Sequence, residues 1–546
     1  MGTKRNVLNR WLVGTLVLAG MAMTSCHDDD ANNGGGNPGN EVAEIYQDPS
    51  LVPMNENEFN TTVPELPDEF DQSVVDALKA NPRITDVKPF LRYFWINPET
   101  GGGEVGVSYF FNYIQDIDHN NPKLGTFKQQ CVLSVAGKER PTVLLTHGYS
   151  LGAGDVKENV NRIDYLTDPS LVSLLNANCL HVEHRYHGWS LPEGWTNKWT
   201  YLNTKQQSDD LHAIVTTIKK SGIISEESKW LSTGVSKSGE TTAFYAFHYP
   251  NDMDAYVSFC APFLPQLRDP RPYRYIFYEP ALDEMDINNL KEAFVKYCSD
   301  KDLQAEVVRL FIQKYGNYGE EFTRKRLLKY LFGYYYDKMS YVKYDLWKPL
   351  IPKKDETNAQ IWYDFIMASS SSPYSNEMEW EYWRRKKGAD NEPDYFDYIT
   401  DDETAETRLT RAASLIDRAD PYKVQCCLDL GESCTVFDWV KDILTDEEKA
   451  YIDPADKPED YGVTYDNGAF MKSFLAGMKT SKCHMLFVYG TQDPWTGARI
   501  PDECLGENSQ ILMIENGTHN DYCDYWNKSE LSTLTRWLDE LGFMTE

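Results

Sequence analysis

The sequence predicts an α/β protein, a mainly parallel sheet flanked by helices and interrupted by a large, mainly helical insertion. Three observations carry this. Short, continuous apolar runs ending at glycine recur in both halves of the chain, as strands buried on both faces do. Helical stripes alternate with these runs up to about residue 265, which implies right-handed crossovers within a parallel sheet. The alternation then stops and resumes only near Cys483.

Before the first strand comes a targeting segment. Lys4, Arg5 and Arg10 flank the apolar stretch 11–23, which is short for a membrane span and reads as a secretory signal. It ends in MTSC (23–26), the form of a bacterial lipobox. Residues 1–25 are therefore expected to be removed as a signal peptide and Cys26 to carry a lipid. The acidic run Asp28-Asp29-Asp30 resembles the surface-export signal of Bacteroidota lipoproteins. Residues 26–45, rich in Gly and Asn, read as a flexible tether. The expected location is the cell envelope, lipid-anchored to the outer membrane and exposed at the surface. An ordinary cleaved signal peptide is the alternative.

The chain of 546 residues allows two or three domains, and 41% hydrophobic content supports a sizeable core. A formal charge of −30 argues against nucleic acid as a partner, because phosphates would be repelled. Setting Cys26 aside from the 11 cysteines leaves an even number, and in an oxidising compartment some disulfides are expected. No cysteine pair has the Cys-x-x-Cys spacing of a zinc site.

The core is expected to span residues 46–265 and 476–546, with the insertion as a cap over 266–475. Alternating segments around Val107, Tyr109 and Phe111 and over residues 127–135 predict paired antiparallel strands. TVLLT (142–146) and residues 179–183 then predict buried parallel strands. Leu211, Ile214, Val215 and Ile218 form a helical stripe between strands. WLSTGV (230–235) is the next strand, followed by a helix that stops at Pro250 and another strand over 254–260. Within the cap, residues 290–315 and 322–336 have helical patterns, and 377–387 and 401–403 read as solvated. Strands over 484–490 and 510–514 and a helix over 529–541 close the chain.

Chemistry concentrates on Ser236. A serine hydroxyl attacks at neutral pH only if a base takes its proton and N–H groups hold the developing oxyanion. Gly234-x-Ser236-x-Ser238 lies between strand and helix, close to the Gly-x-Ser-x-Gly elbow that exposes a nucleophile. Ser238 replaces the second glycine. As a nucleophile Ser238 is disfavoured, because Glu240 occupies the position two further on. The acid belongs in a loop after a late strand, where Asp493 stands; Asp502, Asp521 and Asp524 lie less squarely after a strand. The base belongs after the last strand, where His519 stands. The order Ser, Asp, His is that of an α/β-hydrolase. Backbone N–H groups of Lys237 and Tyr149 are the expected oxyanion donors. His181, His184 and His187 are three apart on a strand and turn, which does not gather them on one face, so no metal is expected.

These residues also carry a family resemblance. EHRYHG (183–188) with Ser190 and Pro192, then WTYL (199–202), Lys205, Gln206 and Asp209, resembles the secreted tripeptidyl aminopeptidases of Streptomyces type. Residues 230–236, 489–495 and 517–519 match the same group, serine peptidase family thirty-seven. It is similar to the prolyl carboxypeptidase and lysosomal dipeptidyl peptidase group, which shares the Glu-His-Arg-Tyr segment. The resemblance covers roughly 107–261 and 483 to the end. It implies a membrane-anchored exopeptidase releasing short peptides, typically tripeptides, from free N-termini, without a cofactor. Ser236, Asp493 and His519 would form its triad. Val235 and Ser238 depart from glycines common in the family elbow, and the cap, outside the resemblance, would set substrate length. Glu183, Arg185 and Trp495 are candidate substrate contacts, Glu183 for the ammonium; its structural alternative is to pair with Arg185 or hold the sheet rim.

Two rivals share parts of this pattern. An esterase or lipase would use the same triad under a different cap. A surface lipoprotein that binds glycans or other ligands would share the tether and aromatic content but make no use of the triad order.

Overall fold

The computed structural model describes residues 70–96, 103–146, 148–149, 169–192, 199–278, 284–315, 319–334, 340, 344, 348–369, 421–519 and 528–544. Cys26, the tether and the polar segments 377–387 and 401–403 lie outside these residues.

Nine strands form one sheet: β1 (Ile84–Ile96), β2 (Gly103–Asp116), β3 (Thr126–Ser134), β4 (Thr142–Thr146), β5 (Asn178–Val182), β6 (Trp230–Val235), β7 (Ala255–Phe259), β8 (Met485–Gly490) and β9 (Ser509–Ile514). Their spatial order is β1-β2-β3-β5-β4-β6-β7-β8-β9. The pairs β1–β2, β2–β3 and β3–β5 are antiparallel, and every later pair is parallel. The change of sense follows from the connections. Short links join β1 to β3, whereas a parallel neighbour needs a crossover long enough to hold a helix.

Strand alternation divides the core in two. Leu144, Leu180, Tyr256, Met485 and Phe487 face one side, packed under the helices Thr204–Lys220, Lys237–His248 and Ala469–Met478. Val143, Cys179, Val257 and Leu486, their immediate neighbours in sequence, face the other, where Leu534 and Leu538 of the helix Lys528–Glu540 cover them. Successive side chains on a strand point to opposite faces, so continuous apolar runs are what a sheet covered on both sides requires. Leu211, Ile214, Val215 and Ile218 are buried as the stripe predicted.

Two elements differ from expectation. β1 is absent from the sequence reading because its pattern is broken: Pro89 sits inside it, and the register with β2 shifts between Thr85 and Lys88, where Asp86 adopts φ 58°. An edge strand tolerates both a proline and a bulge. The helical stretch 290–315 is two helices, Glu284–Ser299 and Lys301–Tyr315, because the Asp300 carboxylate accepts the Leu303 N–H at 3.0 Å and caps the second.

The helices between residues 271 and 369, with residues 436–452, build a core of their own, in which Phe294, Tyr297, Leu327, Leu331, Trp362 and Val440 are buried together. It joins the sheet domain through the contact between helix Arg271–Tyr278 and the short 3-10 turn Pro494–Ala498. No disulfide joins any two of the nine described cysteines, Cys426, Cys427 and Cys434 included, so the expectation of disulfides is corrected among the described residues. Most of them are buried and act as small apolar groups. No described helix is long and apolar enough to cross a membrane.

Candidate active site

The carboxyl edge of the parallel strands gathers the predicted residues. Ser236 follows β6 directly and precedes the helix Lys237–His248 with φ 58° and ψ −126°. A non-glycine residue held there carries strain of about 1–3 kcal/mol, which persists only where surrounding contacts over-determine it. Those contacts are visible. The Ser236 N–H donates to the Phe259 carbonyl at 2.9 Å, and the Ser236 carbonyl accepts the Glu240 N–H at 2.9 Å. A Cβ on Gly234 would meet the Ser238 Oγ at 2.1 Å, and one on Gly239 would meet the Phe259 carbonyl at 2.6 Å. The turn thus needs glycine at 234 and 239, and the departure at 238 is accommodated. Ser238 is buried, and its hydroxyl packs against Thr146 Oγ1 at 3.2 Å while Ser236 is only half-buried.

Asp493 and His519 meet as a pair. Asp493 Oδ2 lies 2.8 Å from His519 Nδ1, and Oδ1 accepts the Trp495 N–H at 3.0 Å. Both carboxylate oxygens are therefore fixed; an acceptor facing Nδ1 assigns the proton to that nitrogen and leaves Nε2 as the basic one. The two loops that carry them are laced together. Thr491 N–H donates to the Ile514 carbonyl at 3.0 Å, Gln492 N–H to the Gly517 carbonyl at 2.8 Å, and Asn516 N–H to Thr491 Oγ1 at 2.8 Å. The His519 N–H is held by the Ser340 carbonyl at 2.7 Å, a contact from the cap segment.

Gly148 lies against the start of the nucleophile helix: a Cβ there would meet the Ser238 nitrogen at 2.9 Å and the Lys237 Cβ at 3.1 Å. Lys237 is buried, its ammonium donates to the Gly148 carbonyl, and it stands 5.4 Å from the Tyr149 ring centroid. The loop carrying Tyr149 and the helix carrying Lys237 are thereby tied side by side, the relation that a shared oxyanion site needs. The tie by the Lys237 side chain was not anticipated; only its backbone position was. Glu240, one turn further, is buried beside it, and burial pushes its carboxyl well above the usual carboxylate range.

Three candidate contacts separate. Trp495 stays at the site, its ring centroid 6.2 Å from that of His519. Glu183 and Arg185 do not line it, and the expectation that they touch substrate is corrected. Arg185 is fully buried and makes a two-pronged pair with Asp210, Nε and Nη2 each 2.7 Å from a carboxylate oxygen. Its partner is Asp210, not Glu183. Glu183, also fully buried, accepts Ser190 Oγ at 2.6 Å and the Trp189 N–H at 3.0 Å, which fixes the loop after β5. Its structural alternative, a hold on the sheet rim, describes it. Both charges are used up inside the fold. His184 turns Nδ1 toward the Arg185 carbonyl at 2.9 Å, and burial pushes its pKa well down; His181, His184 and His187 form no metal-ligating group among the described residues.

One neighbour of the pair escaped the sequence reading. The Cys260 thiol, a ring nitrogen of His519 and a carboxylate oxygen of Asp493 all lie within 4.8 Å of one another. The signal was present in strand pairing. Val235 and Phe259 are partners in register, so the residue after each, Ser236 and Cys260, emerges at adjacent strand ends.

A half-buried elbow serine and a carboxylate-held histidine at the carboxyl edge of such a sheet define a serine hydrolase of the α/β-hydrolase class. Residues 87–302 match the family model described as PS-10 peptidase S37. Over 401 residues the chain is 23% identical to the prolyl tri/tetrapeptidyl aminopeptidase of Streptomyces mobaraensis, covering 70% of this chain and 69% of that protein. Solved structures that match the chain include a proline iminopeptidase from Mycobacterium smegmatis, with 10% identity, TM-score 0.32 and coverage of 79% of this chain and 98% of that one. Another is an α/β fold family hydrolase from Bacillus anthracis str. Sterne, with 14% identity, TM-score 0.28 and coverage of 79% and 99%. The resemblance read from the sequence is borne out by the family match and the Streptomyces relative: the chain is a serine peptidase.

Proposed function

We propose that this chain is a secreted, membrane-anchored exopeptidase that removes short peptides, tripeptides foremost, from free N-termini through an acyl-enzyme. The observation that carries the catalytic part is the strained, half-buried Ser236 at the same sheet edge as the 2.8 Å Asp493–His519 pair. His519 takes the Ser236 proton as the hydroxyl attacks the peptide carbonyl, and Asp493 holds the imidazole tautomer and stabilises its cation. The N–H groups of Lys237 and Tyr149 receive the oxyanion. His519 then returns the proton to the leaving amine, and water hydrolyses the acyl-enzyme. Release from the N-terminus is supported by the activity in the name of the Streptomyces relative. Trp495, beside His519, contacts the substrate, and the helical insertion limits how much peptide enters.

The decisive experiment profiles the mature protein against matched peptides with free and acetylated N-termini. Cleavage three residues from free ends only is expected, and equal turnover of blocked peptides overturns the exopeptidase reading. Ser236→Ala should abolish both turnover and fluorophosphonate labelling. Anchoring rests on Cys26 and the preceding apolar segment; metabolic labelling of the full chain with an alkyne fatty acid should mark it, and Cys26→Ala should not be marked. Protease shaving of intact cells tests exposure at the outer surface.

A further inference from the structure

We infer that Cys260, Asp493 and His519 form an inhibitory site for a thiophilic divalent cation such as Zn²⁺, lying across the hydrogen-bonded pair. The inference rests on the same Asp–His pair as the proposed function but not on the substrate assigned there.

Three observations converge. One atom from each side chain, a thiol sulfur, an imidazole nitrogen and a carboxylate oxygen, lies within 4.8 Å of the other two. Sulfur, nitrogen and oxygen donors of these kinds are the ones zinc selects, and tetrahedral bonds of about 2.0–2.3 Å place ligand atoms about 3–4 Å apart. The required movement is small. All three groups are buried, with 5%, 0% and 4% of their surface exposed. An ion held there is sheltered from competing water. The positions are also stiff. Cys260 sits at φ 50° with its N–H donating to the Val488 carbonyl at 2.8 Å, Asp493 caps a short helical turn, and His519 is pinned through its backbone to Ser340.

Ordinary catalysis by the pair does not need a sulfur at this position. A thiol beside a catalytic imidazole gives the pair a second ligand chemistry. On binding, the thiol loses its proton to solvent, the ion accepts electron pairs from sulfur, nitrogen and oxygen, and no oxidation state changes. The fourth position of a tetrahedral site stays open toward Ser236, whose strand end is the neighbour of the Cys260 strand. Whichever imidazole nitrogen binds, the ring can no longer take the serine proton. Zinc therefore switches the enzyme off reversibly, and the thiol sets how tightly.

The test uses the mature full chain. Zinc is titrated into wild type, Cys260→Ala and Cys260→Ser while peptide turnover is followed, with EDTA added afterwards. Wild type should be inhibited by zinc and rescued by EDTA, and both variants should keep turnover while needing at least about tenfold more zinc for half-inhibition. Equal inhibition of wild type and variants, or none in wild type, overturns the inference. Fluorophosphonate labelling without zinc reports whether the variants fold. A second arm needs no turnover: Co²⁺ added to Ser236→Ala should give a thiolate-to-cobalt charge-transfer band at one equivalent, absent from the Ser236→Ala, Cys260→Ala double variant. Absence of that band from Ser236→Ala overturns the site. If the chain cleaves no peptide yet shows the band, the peptidase reading fails and the metal site stands.

Discussion

Gly490 and Gly517 touch backbone to backbone: a Cβ added to Gly490 would lie 2.3 Å from the Gly517 carbonyl oxygen. Neither glycine has an unusual φ; close approach is what demands them. Gly490 ends β8, three residues before Asp493, and Gly517 lies two before His519. The contact sets the spacing of the catalytic loops. Gly490→Ala should therefore force the loops apart, costing about 1–3 kcal/mol as overpacked sites do. Turnover should fall more than this stability loss explains. Urea unfolding and kcat measured on the same preparation check the two parts separately.

In the proposed mechanism Asp493 contributes orientation and charge. Asp493→Asn keeps the size and the Trp495 N–H contact, but it can present an N–H to His519 and so favour the wrong ring tautomer. A fall in kcat of about 10⁴ is expected, with little change in KM or in the unfolding midpoint. Steady-state kinetics on peptides, beside thermal unfolding, measure both. A fall below about tenfold would assign Asp493 a supporting role only.

Arg185 gives the opposite pattern. Both it and Asp210 are fully buried, so Arg185→Met takes the two-pronged partner from a buried carboxylate and leaves it only His119 Nε2, 2.7 Å from Oδ1. Removing one member of such a pair costs about 3–5 kcal/mol. Unfolding in urea should show that loss, whereas KM of the remaining folded enzyme should hardly move. A substrate-anchoring arginine would raise KM instead.

How far these roles could be read from the chain depends on what carries each of them. The apolar run TVLLT and the stripe from Leu211 to Ile218 declare themselves because burial on a strand or a helix face imposes a period. The places of Ser236 at the end of β6 and of Asp493 and His519 after β8 and β9 are legible from the strand pattern and from their order. Glu183 and Arg185 misled because a charged pair in a motif resembles a binding pair; only burial and the partner Asp210, 25 residues away, reveal a packing role. The break at Asp300 is invisible to periodicity, since both helices keep apolar positions in step across it. Cys260 was missed because its relation to Ser236 exists only between neighbouring strands. Among the described residues the expectation of disulfides failed because an even cysteine count says nothing of distance.

Lys237 links the nucleophile helix to the opposing loop through its ammonium and the Gly148 carbonyl. Lys237→Met retains most of the buried stem and deletes the tie. The Tyr149 loop should then drift from its place beside the start of the nucleophile helix, and displacement of about 1 Å costs up to roughly a hundredfold in rate. A fall in kcat with KM nearly constant is expected, because the ground-state peptide has no oxyanion to hold. Fluorophosphonate labelling should slow in parallel. A change in KM alone would instead place the lysine among substrate contacts.

Asp429 ties the returning end of the insertion to the core, its Oδ2 accepting the Thr204 N–H at 2.9 Å and Thr204 Oγ1 at 3.0 Å. Its other oxygen has no hydrogen-bond partner among the described residues. Burial raises its pKa from 3.8 to about 7, more than the two Thr204 bonds lower it. An acid whose folded pKa is raised binds its proton longer in the folded state than in the unfolded one. Its contribution to stability is therefore complete below about pH 4, declines as pH rises, and is gone above about pH 7. Three units correspond to on the order of 4 kcal/mol. Asp429→Asn keeps an acceptor for Thr204 and cannot ionise. The stability of wild type relative to this variant should fall steadily between pH 4 and 7 and level off beyond. Urea unfolding of both proteins across that range measures the difference, and a difference that stays constant or grows with pH would show that Asp429 is ionised in the folded protein.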